Sequence, residues 1–431
     1  MTGRYSPGRP PCAAPQGTRT AHDERMPTRC DEVPHRIDDP TVVDTDVHGA
    51  VGLLLQETLR ERLDESRATD PTFARDVAER IARFTLSGGK RMRSQFLWWT
   101  LRACGDAPDV HAALRLAAGL ELVQTCALVH DDLMDGSVTR RGKAAMHSAF
   151  AAQYGPGPGD GAESFGKAAA ILAGDLALAW ADDLVADTTL CEHTRSRVLR
   201  IWKSMRTEMV AGQYLDLHSQ ATASRSTVRA VRTARLKSAL YSVERPMALG
   251  AALAGADSET TRTLCSAGRC AGLAFQLRDD LLGVFGDPQL TGKPSGGDIR
   301  EGKRTYLMAV AQARAMAGGD QAAATFLDQA LGNAQLSDGE LERVRSVLVA
   351  SGAQGLVEEK ISWLMRQSRR HLAAVSLNRT AGDRLDELLH AVAGIPAAPH
   401  SADRAHGNAS QSGRRSPSPL ITSPPADGES T

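Results

Sequence analysis

Leu128-Val129-His130-Asp131-Asp132-Leu133-Met134-Asp135-Gly136 closes an apolar stretch with three carboxylates. Read as the last turns of a helix, it puts Asp131 and Asp135 at i, i+4 and Asp132 and Asp135 at i, i+3, so the side chains converge on one edge. Like charges repel there, and the C-terminal end of a helix already carries negative partial charge. Folding alone does not favour this cluster, so a counter-charge must stabilise it. Hard oxygen donors at this spacing suit Mg²⁺, which takes one or two carboxylates together with the phosphate oxygens of a substrate. A lone Asp-Asp-x-x-Asp is also met as a solvated acidic face. Asp182-Asp183-Leu184-Val185-Ala186-Asp187, which has no basic or Gly-rich company, is read as such a surface.

Upstream of Asp131, Leu114, Ala118, Leu122 and Val129 recur at helical spacing and predict a helix over 109–135, with Gly136 as the glycine just past its end. Further helices are expected near 51–63, 71–85, 91–103, 164–190, 194–220, 226–254, 258–284, 303–316, 320–332, 337–350, 354–374 and 380–393. Ala, Leu and Arg dominate, and Val/Ile/Thr runs are scarce. The class is all-α: a single large helical bundle over 46–394. Residues 1–45, rich in Pro, Arg, Thr and Asp, and 395–431, rich in Pro, Ser, Gly and Ala, lack periodicity and are expected to be disordered. The loop 155–161 is expected to be an exposed hinge.

Hydrophobic residues make up 42% of the 431, enough for one large core. Lys plus Arg and Asp plus Glu are each 51, so the net charge of zero argues against nucleic acid as the main partner. Seven cysteines without CxxC spacing fit a reducing compartment. No apolar run approaches the ~18–20 residues that span a bilayer, and the basic, Pro-rich start has no apolar h-region, so a cytoplasmic location is expected.

A second acidic element, Phe275-Gln276-Leu277-Arg278-Asp279-Asp280-Leu281-Leu282-Gly283-Val284-Phe285-Gly286-Asp287, also falls late on a helix. Two aspartate clusters on separate helices can face one another across a bundle. Divalent ions between them would hold a polyanion such as a diphosphate. Basic residues stand where that anion needs them. Ser87-Gly88-Gly89-Lys90-Arg91-Met92-Arg93 opens a helix with free N–H groups and cations. Thr139-Arg140-Arg141-Gly142-Lys143 follows the first aspartates, and Thr291-Gly292-Lys293-Pro294-Ser295-Gly296-Gly297-Asp298-Ile299-Arg300-Glu301-Gly302-Lys303 follows the second. The doubled order, acid pair then basic loop, is far more specific than either half.

With GGKRMR, ELVQTCALVHDDLMDGSVTRRG, GQYLDL, LKSALYS, FQLRDDLLGVFGD and TGKPSGGDIREGKRT in this order, the chain resembles the trans-isoprenyl diphosphate synthases of the polyprenyl synthetase family. The motifs span about 85–305. The resemblance implies an enzyme, a trans-prenyltransferase that condenses isopentenyl diphosphate with an allylic prenyl diphosphate, using Mg²⁺ (three ions per site) and working as a homodimer. It assigns metal binding to Asp131, Asp132, Asp135, Asp279 and Asp280. Arg140, Lys237, Gln276 and Lys293 match the allylic site, and Lys90, Arg93, Gln124 and Arg141 the isopentenyl diphosphate pocket. Gln213 and Asp216 match a helix beside the same cavity. One departure stands out: the family's second motif usually ends in a third aspartate, and Gly283 takes that place, with Asp287 four residues on.

The growing tail is expected to run down the central helix away from Asp131, past Cys126, Ala127, Val123 and Leu120, each turn being about 5.4 Å. Family members that make farnesyl diphosphate typically carry an aromatic residue just before the first motif or an insertion inside it. Cys126 and Ala127 are small and the motif has no insertion, which favours a C20 product, geranylgeranyl diphosphate, over a farnesyl or longer one. Small residues at 126 and 127 also suit plain helix packing. A terpene cyclase, which needs no second diphosphate pocket, and a non-catalytic regulatory subunit are the competing readings. Lys90, Arg93 and Arg141 speak against the first, and the intact leading aspartates against the second.

Overall fold

Asp109 accepts a hydrogen bond from the Ala112 N–H (2.9 Å) and starts the helix Val110–Met134, around which the other elements pack. A cap of this kind contributes about 1 kcal/mol. Asp135 closes the helix, and Gly136, at φ 67°, takes the left-handed conformation that a glycine accepts without cost. The computed structural model describes residues 38–105, 108–154, 161–287 and 295–394. The expected disorder of 1–37 and 395–431 and the hinge at 155–160 lie outside them.

The fold is all-α. The long helices are Val47–Thr69, Met92–Cys104, Val110–Met134, Gly161–Ala186, Glu192–Ala221, Ser258–Phe285 and Ala353–Ala373. Shorter ones cover Tyr306–Ala317, Gln321–Ala330, Asp338–Ala350 and Arg379–Val392. The helical spacing of apolar residues locates each of these to within a few residues. The core gathers Phe96, Trp98, Leu116, Leu120, Leu122, Phe150 and Trp202, all fully buried. Among the described residues the strands are a single two-residue hairpin, Thr139–Arg140 with Lys143–Ala144.

Several expectations need correction. Residues 40–45 are ordered, not part of a disordered extension. Pro40–Thr45 is a helix with Val43 buried, and Asp44 accepts from Trp98 Nε1 (2.9 Å) and bidentately from Arg102. Met146–Ala152 forms a helix too short to show a periodicity. The stretch 227–253 is helical throughout, but Arg235–Glu244 is wound as a π-helix. The central helix does have the length and hydropathy (1.5) of a membrane span. Because 78% of that window is buried inside the fold, it is the core helix of the bundle. Asp182 is half-buried rather than solvated, bonded by Trp202 Nε1 (2.7 Å) and Arg206.

Candidate active site

The last turn of Val110–Met134 presents Asp131 and Asp132, with Asp135 at its cap. The hairpin folds back on them. Arg141 (φ 53°) and Gly142 (φ 73°) make its two-residue turn, the pair of positive φ values that a tight hairpin requires. A non-glycine residue held there stores backbone strain. The turn separates the two arginines. Arg140 donates from Nε to Asp132 Oδ1 (2.8 Å), binds the same oxygen through its terminal nitrogen, and stands 3.8 Å from Asp131 Oδ2. Arg141 instead reaches the Ser87 carbonyl (3.4 Å) and lies over the Phe84 ring.

Late on Ser258–Phe285, Asp280 is buried and accepts from Gln276 Nε2 (2.8 Å), while Asp279 is exposed. Two ammonium groups join the first-motif acids to acids on other elements. Lys237 Nζ lies 2.9 Å from Asp131 Oδ1 and 2.7 Å from Asp216 Oδ2. Lys303 Nζ lies 3.0 Å from Asp135 Oδ2, 2.7 Å from Glu301 Oε2 and 3.4 Å from Asp298 Oδ1. Lys237 owes its place to the π segment and to Gly212. A Cβ on Gly212 would meet the Lys237 backbone nitrogen at 2.2 Å, so only glycine lets the two helices come this close. Gln213, the next residue, donates to Met134 Sδ (3.7 Å) at the end of the central helix.

Burial and charge oppose each other throughout the site. Burial alone would raise the Asp131 carboxyl, but Lys237, Lys303 and Arg140 hold it below the usual range. Burial wins at Asp132 against Arg140, and at Asp135 against Lys303, so both are pushed up. Asp280 is pushed well up by burial, and Asp298, Asp279 and Asp216 add to the shift. Asp132 Oδ2 and Asp135 Oδ1 are buried without a hydrogen-bond partner. Oxygens left so are costly.

The second group of basic residues comes together at the start of Met92–Cys104. Arg93 donates to Ser242 Oγ (2.8 Å) and stacks on Tyr241, whose hydroxyl donates to Gln124 Oε1 (2.8 Å). Lys90 is exposed on the same turn. Arg91 turns the other way, buried, and donates to the His48 carbonyl (2.6 Å). Lys293 lies outside the described residues.

Among the proposed tail-lining positions, Val123, Ala127, Asp131 and Asp135 form one i, i+4 row. Ala127 is half-buried and Val123 fully buried. Cys126 faces elsewhere. Its Sγ lies 3.8 Å from His130 Nδ1, and burial pushes the thiol up to about 12. Lys303, Glu301 and Asp298 were not singled out from the sequence, although all three lie in the basic loop TGKPSGGDIREGKRT.

An all-helical bundle that holds two carboxylate groups and two cation groups at one end is built to handle diphosphates. The sequence profile of the polyprenyl synthetase family matches residues 75–348. A geranylfarnesyl diphosphate synthase of Aeropyrum pernix is 31% identical over 67% of this chain and 84% of its own length. A (2E,6E)-farnesyl diphosphate synthase of Mycobacterium bovis is 31% identical over 66% and 71%. The crystal structure of a geranylgeranyl pyrophosphate synthase from Corynebacterium glutamicum, complexed with isoprenyl diphosphate and magnesium, superposes with a TM-score of 0.74. It is 37% identical and covers 80% of this chain and 98% of that one. The chain belongs to the polyprenyl synthetase family and is a trans-prenyltransferase.

Proposed function

We propose that the chain elongates an allylic prenyl diphosphate with isopentenyl diphosphate to a C20 product, geranylgeranyl diphosphate, using three Mg²⁺ ions per site and acting as a homodimer in the cytoplasm. The observation that carries the reading is that Lys237 joins Asp131 to Asp216 and Lys303 joins Asp135 to Asp298, the two partner acids whose charge also reaches Asp280. Cations already occupy the space between acids drawn from separate helices.

The donor set fits Mg²⁺. The carboxylates are hard oxygen donors, and Asp132 Oδ2 and Asp135 Oδ1 are buried and unpartnered. Mg²⁺ takes one or two carboxylates and its remaining ligands from substrate phosphate and water. Asp131, Asp132, Asp135, Asp279 and Asp280 would hold it. When bound, Mg²⁺ neutralises the negative charge that grows on the departing diphosphate.

The residues of the chain do the rest. Arg140 and Lys237 orient the allylic diphosphate and stabilise it as the C–O bond breaks, in a setting where fixed charges need no reorganisation. Gln276, bonded to Asp280, completes that side, and the family resemblance adds Lys293, which lies outside the described residues. Lys90, Arg93 and Arg141 bind the second diphosphate, with Gln124 beside them, and hold the double bond of isopentenyl diphosphate against the allylic carbon. A new C–C bond forms, a proton leaves the added unit for the departing diphosphate, and the product is one C5 unit longer. The row Val123, Ala127 lies on the Asp131 side of the central helix, where a tail would pass. Phe165, Ile171 and Leu172, exposed on Gly161–Ala186, offer an apolar face for a second copy.

The test is incubation of the purified chain with isopentenyl diphosphate, Mg²⁺ and dimethylallyl, geranyl or farnesyl diphosphate in turn, followed by chromatographic sizing. A C20 product that stops there is expected. Hydrocarbon release from geranylgeranyl diphosphate alone would make the chain a cyclase.

A further inference from the structure

We propose that Asp298 supplies to the bound ions the carboxylate that the second aspartate motif lacks at Gly283, a reading that rests on the function proposed above. Gln276, Asp280 and Gly283 follow one another along one face of Ser258–Phe285. A Cβ added to Gly283 would meet Asp298 Oδ2 at 2.6 Å and its Cγ at 3.3 Å. The carboxylate of Asp298 therefore fills the space into which a side chain at 283 would project. Glycine at 283 and aspartate at 298 are two halves of one arrangement.

The loop that carries Asp298 is fixed to that helix. The Gly296 N–H donates to the Gly283 carbonyl (2.8 Å), and Ser295 Oγ donates to the Val284 carbonyl (3.0 Å). Arg345 holds the same Val284 carbonyl (2.8 Å) and Ser295 Oγ (2.6 Å). The backbone of Asp298 is set as well, its carbonyl accepting from the Lys303 N–H (2.8 Å).

An independent observation points to a ligand here. Asp135, the third acid of the first motif, has a side chain only 2% exposed, and its Oδ1 has no partner. Lys303 Nζ joins Asp135 to Asp298 at 3.0 and 3.4 Å. One cation thus lies between the third carboxylate of the first motif and the stand-in for the third carboxylate of the second. Asp287 is exposed beyond the helix end, while Asp298 returns to the helix.

The test is an exchange of position. Binding of Mn²⁺ in the presence of inorganic diphosphate would be followed by electron paramagnetic resonance on the full chain and on Asp298→Ala, Gly283→Asp and the double variant, with circular dichroism to check folding. Asp298→Ala is expected to weaken Mn²⁺ binding about 10-fold or more, the scale of losing a supporting group at a metal site. Gly283→Asp alone, crowding Asp298, is expected to bind less well than the unaltered chain. The double variant is expected to recover most of the loss. Unchanged binding in Asp298→Ala, or a double variant no better than Asp298→Ala, would overturn the assignment. An unaltered chain that binds no Mn²⁺ with diphosphate would overturn the proposed function along with it.

Discussion

Asp131 shares its two oxygens between Lys237 at 2.9 Å and Arg140 at 3.8 Å, and so stands as a carboxylate between two cations while most of its surface is out of water. The same cations that stabilise it in the free protein are those that a diphosphate would recruit, so its charge serves both states. Asp131→Asn keeps the shape and removes the charge. Turnover is expected to fall by about 10²–10³-fold or more, the scale set by losing one preorganised charge at a reacting centre, with the melting temperature little changed. Activity near the unaltered level would remove Asp131 from the metal site. Much of this was legible in the sequence, because Asp131, Asp132, Arg140 and Lys237 lie in short motifs whose residue types are costly to a fold without a ligand. Lys303 and Asp298 were not. Nothing in GGDIREGK itself says that one carboxylate will reach back to Gly283 and one ammonium to Asp135; only the docked loop shows it. Arg91 carries the opposite lesson, since it sits in the same cationic run as Lys90 and Arg93 yet is spent on the His48 carbonyl.

At the scale of elements, the helices were readable because each combines an apolar face with a cap or a glycine stop, as Asp109 and Gly136 do for Val110–Met134. The π winding of Arg235–Glu244 was not, because it depends on how closely Glu192–Ala221 approaches at Gly212. Such wide turns often mark functional positions, and here one carries Lys237. The central helix also bears on product length. Ala127 lies one turn below Asp131 on the same row, so Ala127→Phe is expected to shorten the product from C20 towards C15 or C10, read by chromatography. An unchanged C20 peak would mean that the tail follows another wall. Cys126, turned towards His130, is expected to matter less.

Across the molecule, acids from distant parts of the chain are joined in pairs by single cations. Asp131 reaches Asp216 through Lys237, and Asp135 reaches Asp298 through Lys303, while Asp216 and Asp298 both act on Asp280. Groups that share bound ions cannot lose them independently. The direct measurement is calorimetric titration of the chain with inorganic diphosphate in the presence of Mg²⁺, carried out on the unaltered protein, Asp131→Asn, Asp280→Asn and the double variant. Each single change is expected to cost about 10-fold or more in affinity, and the double variant much less than the product of the two losses. Unaltered affinity in Asp280→Asn, or losses that multiply independently, would mean that the two carboxylate groups do not hold the same diphosphate.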